Sequence, residues 1–210
     1  MNIEAAPDDA DEFRPANQPW RRHLAQLGRP FTHLPTKKRV VVVGLLMFVE
    51  VAVGWRIGPH AALPAFLVFG AVGWLVALSD TSERRIPNAA LMIAYPIIGG
   101  LLVEASSMSG HWQNLLRAAL AGAALGAFYL ALALWRPGEL GLGDCKFAPL
   151  VGLALGWLSW SAVIEGALFG FLGAVLWFLP RALLHRVSRS TQVAFGPFMV
   201  IGALVAILLT

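Results

Sequence analysis

The stretch NLLRAALAGAALGAFYLALALW, residues 114–135, carries a single charge, Arg117. Crossing roughly 30 Å of hydrocarbon takes about 17–25 apolar residues, and a backbone exposed to lipid has to be helical to satisfy its own hydrogen bonds. This stretch has the required length. Six others along the chain share its character: residues 40–55, 62–79, 88–103, 147–160, 162–180 and 193–209. The run at 147–160 is short, as expected of a tilted or partly re-entrant segment. Composition agrees, with 58% hydrophobic and 13% charged residues and a mean hydropathy of +0.68, whereas soluble domains are about a quarter charged and under half apolar. A water-soluble enzyme is thereby disfavoured. The expected fold class is an all-α polytopic membrane protein of about seven transmembrane helices.

Lys and Arg between spans set orientation, because they accumulate on the cytoplasmic side. With the N-terminus inside, fourteen of the sixteen fall in cytoplasmic segments, and Arg56 and Arg117 fall outside. The reading is therefore N-terminus cytoplasmic, C-terminus outside. Residues 1–36, with Glu4, Asp8, Asp9, Asp11 and Glu12 followed by four arginines, lack the apolar core of a cleavable signal peptide. They read as a disordered or interfacial cytoplasmic tail. Residues 37–60 then form a first span and residues 61–210 a six-helix membrane domain. Small residues within the spans (Gly99, Gly100, Gly122, Gly126, Gly170 and Gly173, with Pro96) read as sites where helices pack closely.

The net charge of +4 comes from basic residues placed between apolar runs, not from a patch interleaved with aromatics, so a nucleic-acid partner is not expected. The lipid bilayer is the expected surrounding. The single cysteine, Cys145, excludes a disulfide framework and a paired-cysteine zinc site. His60, His111 and His185 show no metal-ligand spacing, so neither metal nor cofactor is expected.

Of five aspartates, three lie in the tail, leaving Asp80 and Asp144 for the whole apolar remainder. Ionisable groups at membrane depth are costly and are candidates for function by default. Under the topology above, both stand at the cytoplasmic edge, Asp80 closing the second span and Asp144 opening the fifth. Asp144 ends the segment Gly141-Leu142-Gly143-Asp144, where two glycines let backbone or another chain come close to a carboxylate. Asp80 is followed by Ile86-Pro87-Asn88. Pro87 disfavours helix at Ile86, and Asn88 suits the N-cap of the next span.

These residues resemble a family. Asp80 with Ile86-Pro87-Asn88, then Gly141-Leu142-Gly143-Asp144-Cys145-Lys146, then Phe195-Gly196-Pro197-Phe198, occur in the order and context seen in the type IV prepilin peptidases, membrane aspartic proteases with a GxGD motif. The resemblance spans about residues 62–210. It implies removal of a short basic leader from prepilins or pseudopilins, after a glycine, at the cytoplasmic face of the bacterial inner membrane. It further implies Asp80 and Asp144 as catalytic residues, with Gly141, Gly143, Lys146, Pro87, Asn88, Gly196 and Pro197 in supporting motifs. The longer members carry a cysteine-rich segment tied to N-methylation of the product. With Cys145 alone the expectation is peptidase without methyltransferase activity, as in compact members.

Two nearby carboxylates supply both the base that activates water and the acid that protonates the leaving amine, because like charges held close share one proton. Other polar residues have plainer readings. Lys146 at a helix end snorkels, Arg84 and Arg85 belong to an inside loop, and Cys145 packs as a small residue. Glu50, near mid-span, motivates a rival from another class: a proton-coupled transporter with Glu165 as second relay. That reading requires an internal repeat and a polar pathway, and the sequence contains neither. A third reading, an inactive peptidase-like scaffold, is opposed by the intact pair of aspartates.

Overall fold

The computed structural model describes residues 35–135, 140–183 and 194–210. Among them are seven helices and no strand: α1 (Thr36–Ile57), α2 (Leu63–Glu83), α3 (Asn88–Ser109), α4 (Trp112–Trp135), α5 (Leu142–Leu158), α6 (Trp160–Leu183) and α7 (Gly196–Leu209). The expected helical polytopic architecture is what the chain adopts. Five helices, α1 to α4 and α6, are long and apolar enough to cross a membrane. The tail, apart from Pro35 and Thr36, and His185 lie outside the described residues.

The two remaining helices are shorter, 17 residues in α5 and 14 in α7. At 1.5 Å per residue they are about 25 Å and 21 Å long, less than the hydrocarbon thickness. Position in the bundle explains how α5 can be short. Ten of its residues are buried, from Asp144 to Trp157, so protein rather than lipid surrounds it. It also starts earlier than the apolar run suggests, at Leu142, and stops at Ser159, so Trp160 opens α6 instead of closing α5. Gly141 in extended conformation begins it, which places Asp144 in its first turn, where the helix dipole favours a carboxylate.

Lipid offers no hydrophobic drive between helices, so close packing holds them together. The seam between α4 and α5 relies on glycine. A Cβ on Gly152 would lie 2.5 Å from the Ala121 carbonyl oxygen, and one on Gly126 would lie 2.7 Å from Cγ of Pro149. The α6–α7 seam is built likewise, a Cβ on Gly202 falling 2.5 Å from the Gly170 nitrogen. Gly122, Gly126 and Gly170 are thus close-approach sites as expected. Gly99 and Gly100 are not: among the described residues nothing lies within 4 Å of a Cβ at either. A parallel stack of Phe69 on Phe147, ring centroids 6.4 Å apart, ties α2 to α5. Outward faces are apolar, and Trp55, Trp112, Trp135 and Trp160 stand exposed at or near helix ends, as at membrane interfaces.

Arg117 is not a loop charge. It sits in the second turn of α4, half-buried, and donates to three carbonyls at the end of α5: Gly156 and Trp157 at 2.6 Å, and Leu158 at 2.7 Å. The last carbonyls of a helix have no partner within it, and here one planar guanidinium takes them. Arg117→Met is expected to cost on the order of 2 kcal/mol by orphaning these acceptors, seen as a lower melting temperature in detergent. Arg117→Lys should recover only part, since an ammonium lacks the fork.

Candidate active site

Asp80 is the last buried residue of α2. The helix ends four residues on at Arg84, which adopts a left-handed conformation (φ 52°, ψ 37°) and donates its N–H to the Asp80 carbonyl at 3.0 Å. A non-glycine residue in that region costs about 1–2 kcal/mol, and the turn it makes brings Arg84, Arg85 and Ile86 back over the end of α2. Asp144 enters from the first turn of α5. The two carboxylates are buried, 7% and 4% exposed, and both line one cavity of about 310 Å³ together with Arg84, Arg85, Ile86, Asn88, Gly141, Leu142, Gly143 and Lys146. Asp144 lies within electrostatic reach of Asp80.

Each aspartate is held differently. Oδ2 of Asp80 accepts the backbone N–H of Gly196 at 2.9 Å. Gly196 is the first residue of α7, so the free N–H end of a helix, with its partial positive charge, is aimed at a carboxylate. Only glycine allows this approach: a Cβ there would lie 2.9 Å from the same oxygen. Pro197 follows in the first turn, where its missing N–H is no loss. Asp144 contacts Gly141, whose Cβ would stand 3.1 Å from Oδ2. Its Oδ1 is buried and hydrogen-bonded to no described residue. A buried carboxylate oxygen without a donor is costly, in contrast to Oδ2 of Asp80, which has one.

The motif glycines make room rather than loops. A Cβ on Gly143 would fall 3.0 Å from Cβ of Ile86, so Ile86 closes on the Gly141–Gly143 turn and links the two aspartate-bearing segments. Pro87 keeps Ile86 out of helix, as its sequence position suggests. Asn88, however, is not the N-cap of α3. Pro87 occupies that position with no side-chain cap, and Asn88 is the first helical residue. Its Oδ1 instead accepts Nζ of Lys146 at 3.1 Å, a stronger partner than a backbone N–H because the donor is charged. Lys146 therefore bridges α5 to α3 at the cavity wall and does not simply snorkel. Tyr95 on α3 adds a second tie, its hydroxyl donating to the Lys146 carbonyl at 2.7 Å.

Aromatic rings underlie the site. Tyr129, 1% exposed, stacks on Phe171 at 5.8 Å and meets Phe195 at 6.0 Å, and Phe195 meets Phe171 at 5.1 Å. This wall fixes the residue preceding Gly196. Cys145 turns from the cavity, its thiol donating weakly to the Tyr129 carbonyl at 3.5 Å. Glu50 is elsewhere: its carboxyl packs against Gly70, where a Cβ would stand 2.5 Å from Oε1, so it faces α2 and not lipid. Glu165 is half-buried in the second turn of α6. Among the described residues no three His, Cys, Asp or Glu side chains gather as metal ligands do.

The profile of the type IV leader peptidase family matches residues 66–210, the part of the chain that contains the whole cavity. The chain belongs to the type IV leader peptidase family. The prepilin leader peptidase/N-methyltransferase of Dickeya chrysanthemi is 29% identical over 168 residues, covering 78% of this chain and 56% of that protein. The chain thus spans little more than half the length of this curated relative. No solved structure gives a significant match. Helix α1, with Glu50, lies outside the leader peptidase match.

Proposed function

We propose that this leader peptidase family member is an aspartic endopeptidase that removes the basic leader from type IV prepilins or pseudopilins, with Asp80 and Asp144 as the catalytic pair. One observation carries the proposal: two aspartates 64 positions apart, the only ones outside the tail, line one cavity. Two like charges buried beside one another do not readily both ionise, so the pair shares a proton and titrates as a unit. The ionised member takes a proton from water as it attacks the scissile carbonyl, and the protonated member delivers one to the leaving nitrogen. The N–H of Gly196 fixes one carboxylate in place, so the geometry is set before substrate arrives.

The cavity sits where apolar helix gives way to charged loop, with Arg84, Arg85 and Lys146 at its walls. The distribution of basic residues along the sequence supports a cytoplasmic N-terminus and an active site on the cytoplasmic face of the inner membrane. Residues 61–210 are proposed as the six-helix catalytic unit, with α1 as an added helix. We assign peptidase activity alone. The relative's name also includes N-methyltransferase, but Cys145 as sole cysteine supplies no paired-cysteine segment.

Co-expression with a prepilin should yield a product shortened by its leader, visible as a gel shift and by mass, whose new N-terminus is unmethylated. A full-length substrate after co-expression with every candidate prepilin would refute the peptidase assignment. A methylated product made by this protein alone would refute its restriction to cleavage.

A further inference from the structure

The hydrogen-bond ladder of α5 has a gap just past the end that bears Asp144. Pro149, inside the helix, supplies no N–H, so the carbonyl of Cys145 four residues back loses its helical donor. From Pro149 onward α5 is locked to α4: a Cβ on Gly126 would meet the Pro149 ring, and one on Gly152 the Ala121 carbonyl. The turns before Pro149 are held more thinly. The Asp144 N–H bonds the Gly141 carbonyl at 3.0 Å, but the next bond, from Cys145, is stretched to 3.4 Å. Open space flanks these turns on two sides. The aspartate cavity reaches Leu142, Gly143, Asp144 and Lys146, and a recess of about 440 Å³ against α4 reaches Leu142, Cys145 and Lys146.

Helix α3 supports them at Lys146. The Tyr95 hydroxyl donates to the Lys146 carbonyl at 2.7 Å, and Asn88 Oδ1 accepts from the Lys146 ammonium at 3.1 Å. The N–H of Leu150, the first residue past the proline, also lies against the Tyr95 hydroxyl. One phenol thus meets α5 on both sides of its gap. We infer, resting on the peptidase assignment of the cavity, that Tyr95 is a positioning residue: it splints α5 across Pro149 and so sets the distance of Asp144 from Asp80. Tyr95 does not line the aspartate cavity, so it acts through Lys146, two residues from Asp144, and not on substrate. The two aspartates differ in what holds them. Asp80 is fixed from another helix by the Gly196 N–H. Asp144 is held by Gly141 of its own turn, with Oδ1 lacking a partner among the described residues, so its aim follows the backbone of that turn. Coupling between two carboxyl groups rises as their separation falls, and a pair that shares a proton therefore depends on where this turn stands.

Tyr95→Phe keeps the ring and removes the splint. In the full chain in detergent, with one purified prepilin, kcat should fall about tenfold and KM stay within about twofold, since a displacement of about 1 Å at a reacting group costs about 100-fold. The pH–rate profile separates positioning from general loosening. Near Asp144 stand Asp80 from α2, Arg84 and Arg85 beyond it, Cys145 and Lys146 on its own helix, and Tyr129 from α4; the two aspartates are the groups that bound the bell. A turn free to move into the recess stands farther from Asp80 on average, their coupling weakens, and the two limbs of the bell move toward each other. Arg117→Lys, which loosens the far end of α5, should lower the melting temperature while kcat and both limbs stay in place. Wild-type kcat in Tyr95→Phe, or a loss of rate with unmoved limbs, would overturn the assignment and leave the peptidase intact. Amide exchange followed by mass spectrometry reads the splint without any cleavage. Faster exchange in Tyr95→Phe at residues 143–148 but not at 150–158 supports it, and unchanged or uniformly faster exchange overturns it. A wild type that cuts no prepilin would instead overturn the peptidase assignment, and the positioning role with it.

Discussion

Asp144→Asn lowers leader cleavage by at least about 10³-fold, the scale of positioned acid–base catalysis, with unchanged membrane insertion and melting temperature. Asp80→Asn does the same, and the double variant is no worse than either single one. Asparagine keeps the shape of the side chain and removes its ability to carry or accept a proton, so packing beside Gly141 or Gly196 survives while the shared proton is lost. Non-additivity is the sharper part of the expectation. Groups that act as one unit lose nearly everything at the first substitution, whereas two independent contributors would multiply their losses. The readout is the initial rate of leader removal from a purified prepilin in detergent, with circular dichroism as the control for folding. Either single variant retaining wild-type cleavage would end the dyad assignment.

Gly196→Ala is the second large effect, of about 10–100-fold on kcat for a displacement near the ångström scale at a reacting group. The added Cβ would stand 2.9 Å from Oδ2 of Asp80. The carboxylate then swings away and gives up the α7 N–H, so the substitution acts on the aspartate without replacing it. Gly173→Ala is the comparison, since its Cβ meets only a Phe198 ring atom at 3.4 Å and should leave activity alone. A Gly196→Ala protein with wild-type kcat would show that Asp80 needs no help from α7.

Sequence reading reached the helices and the aspartates because each left a local signature. Runs of apolar residues marked the spans, and scarcity of acid singled out Asp80 and Asp144. Gly196 was visible only as part of a family motif, its task hidden because a backbone N–H bears no residue-specific mark. Arg117 counted as a topological charge, since nothing near it in the chain shows that α5 ends against α4. The exchange of Asn88 from cap to Lys146 acceptor has the same origin: its partner is 58 positions away. The reach of α5 was misjudged at both ends, because hydropathy reports what touches lipid and α5 is enclosed by protein. Local pattern, in short, names the elements, and pairings between helices decide what their polar residues do.

Asp144 belongs to the closely packed pair α4 and α5, whereas Asp80 belongs to α2 and is held by α7, itself packed on α6. Neither group contains both carboxylates. During biosynthesis a chain that has inserted only as far as α5 carries both aspartates, but the donor that orients the first is still to come, at the start of α7. If the two aspartates are the catalytic pair, activity therefore waits for α7: a copy inserted only as far as α5 lacks the N–H that holds Asp80, and neighbouring membrane proteins meet a working site only after α7 has docked.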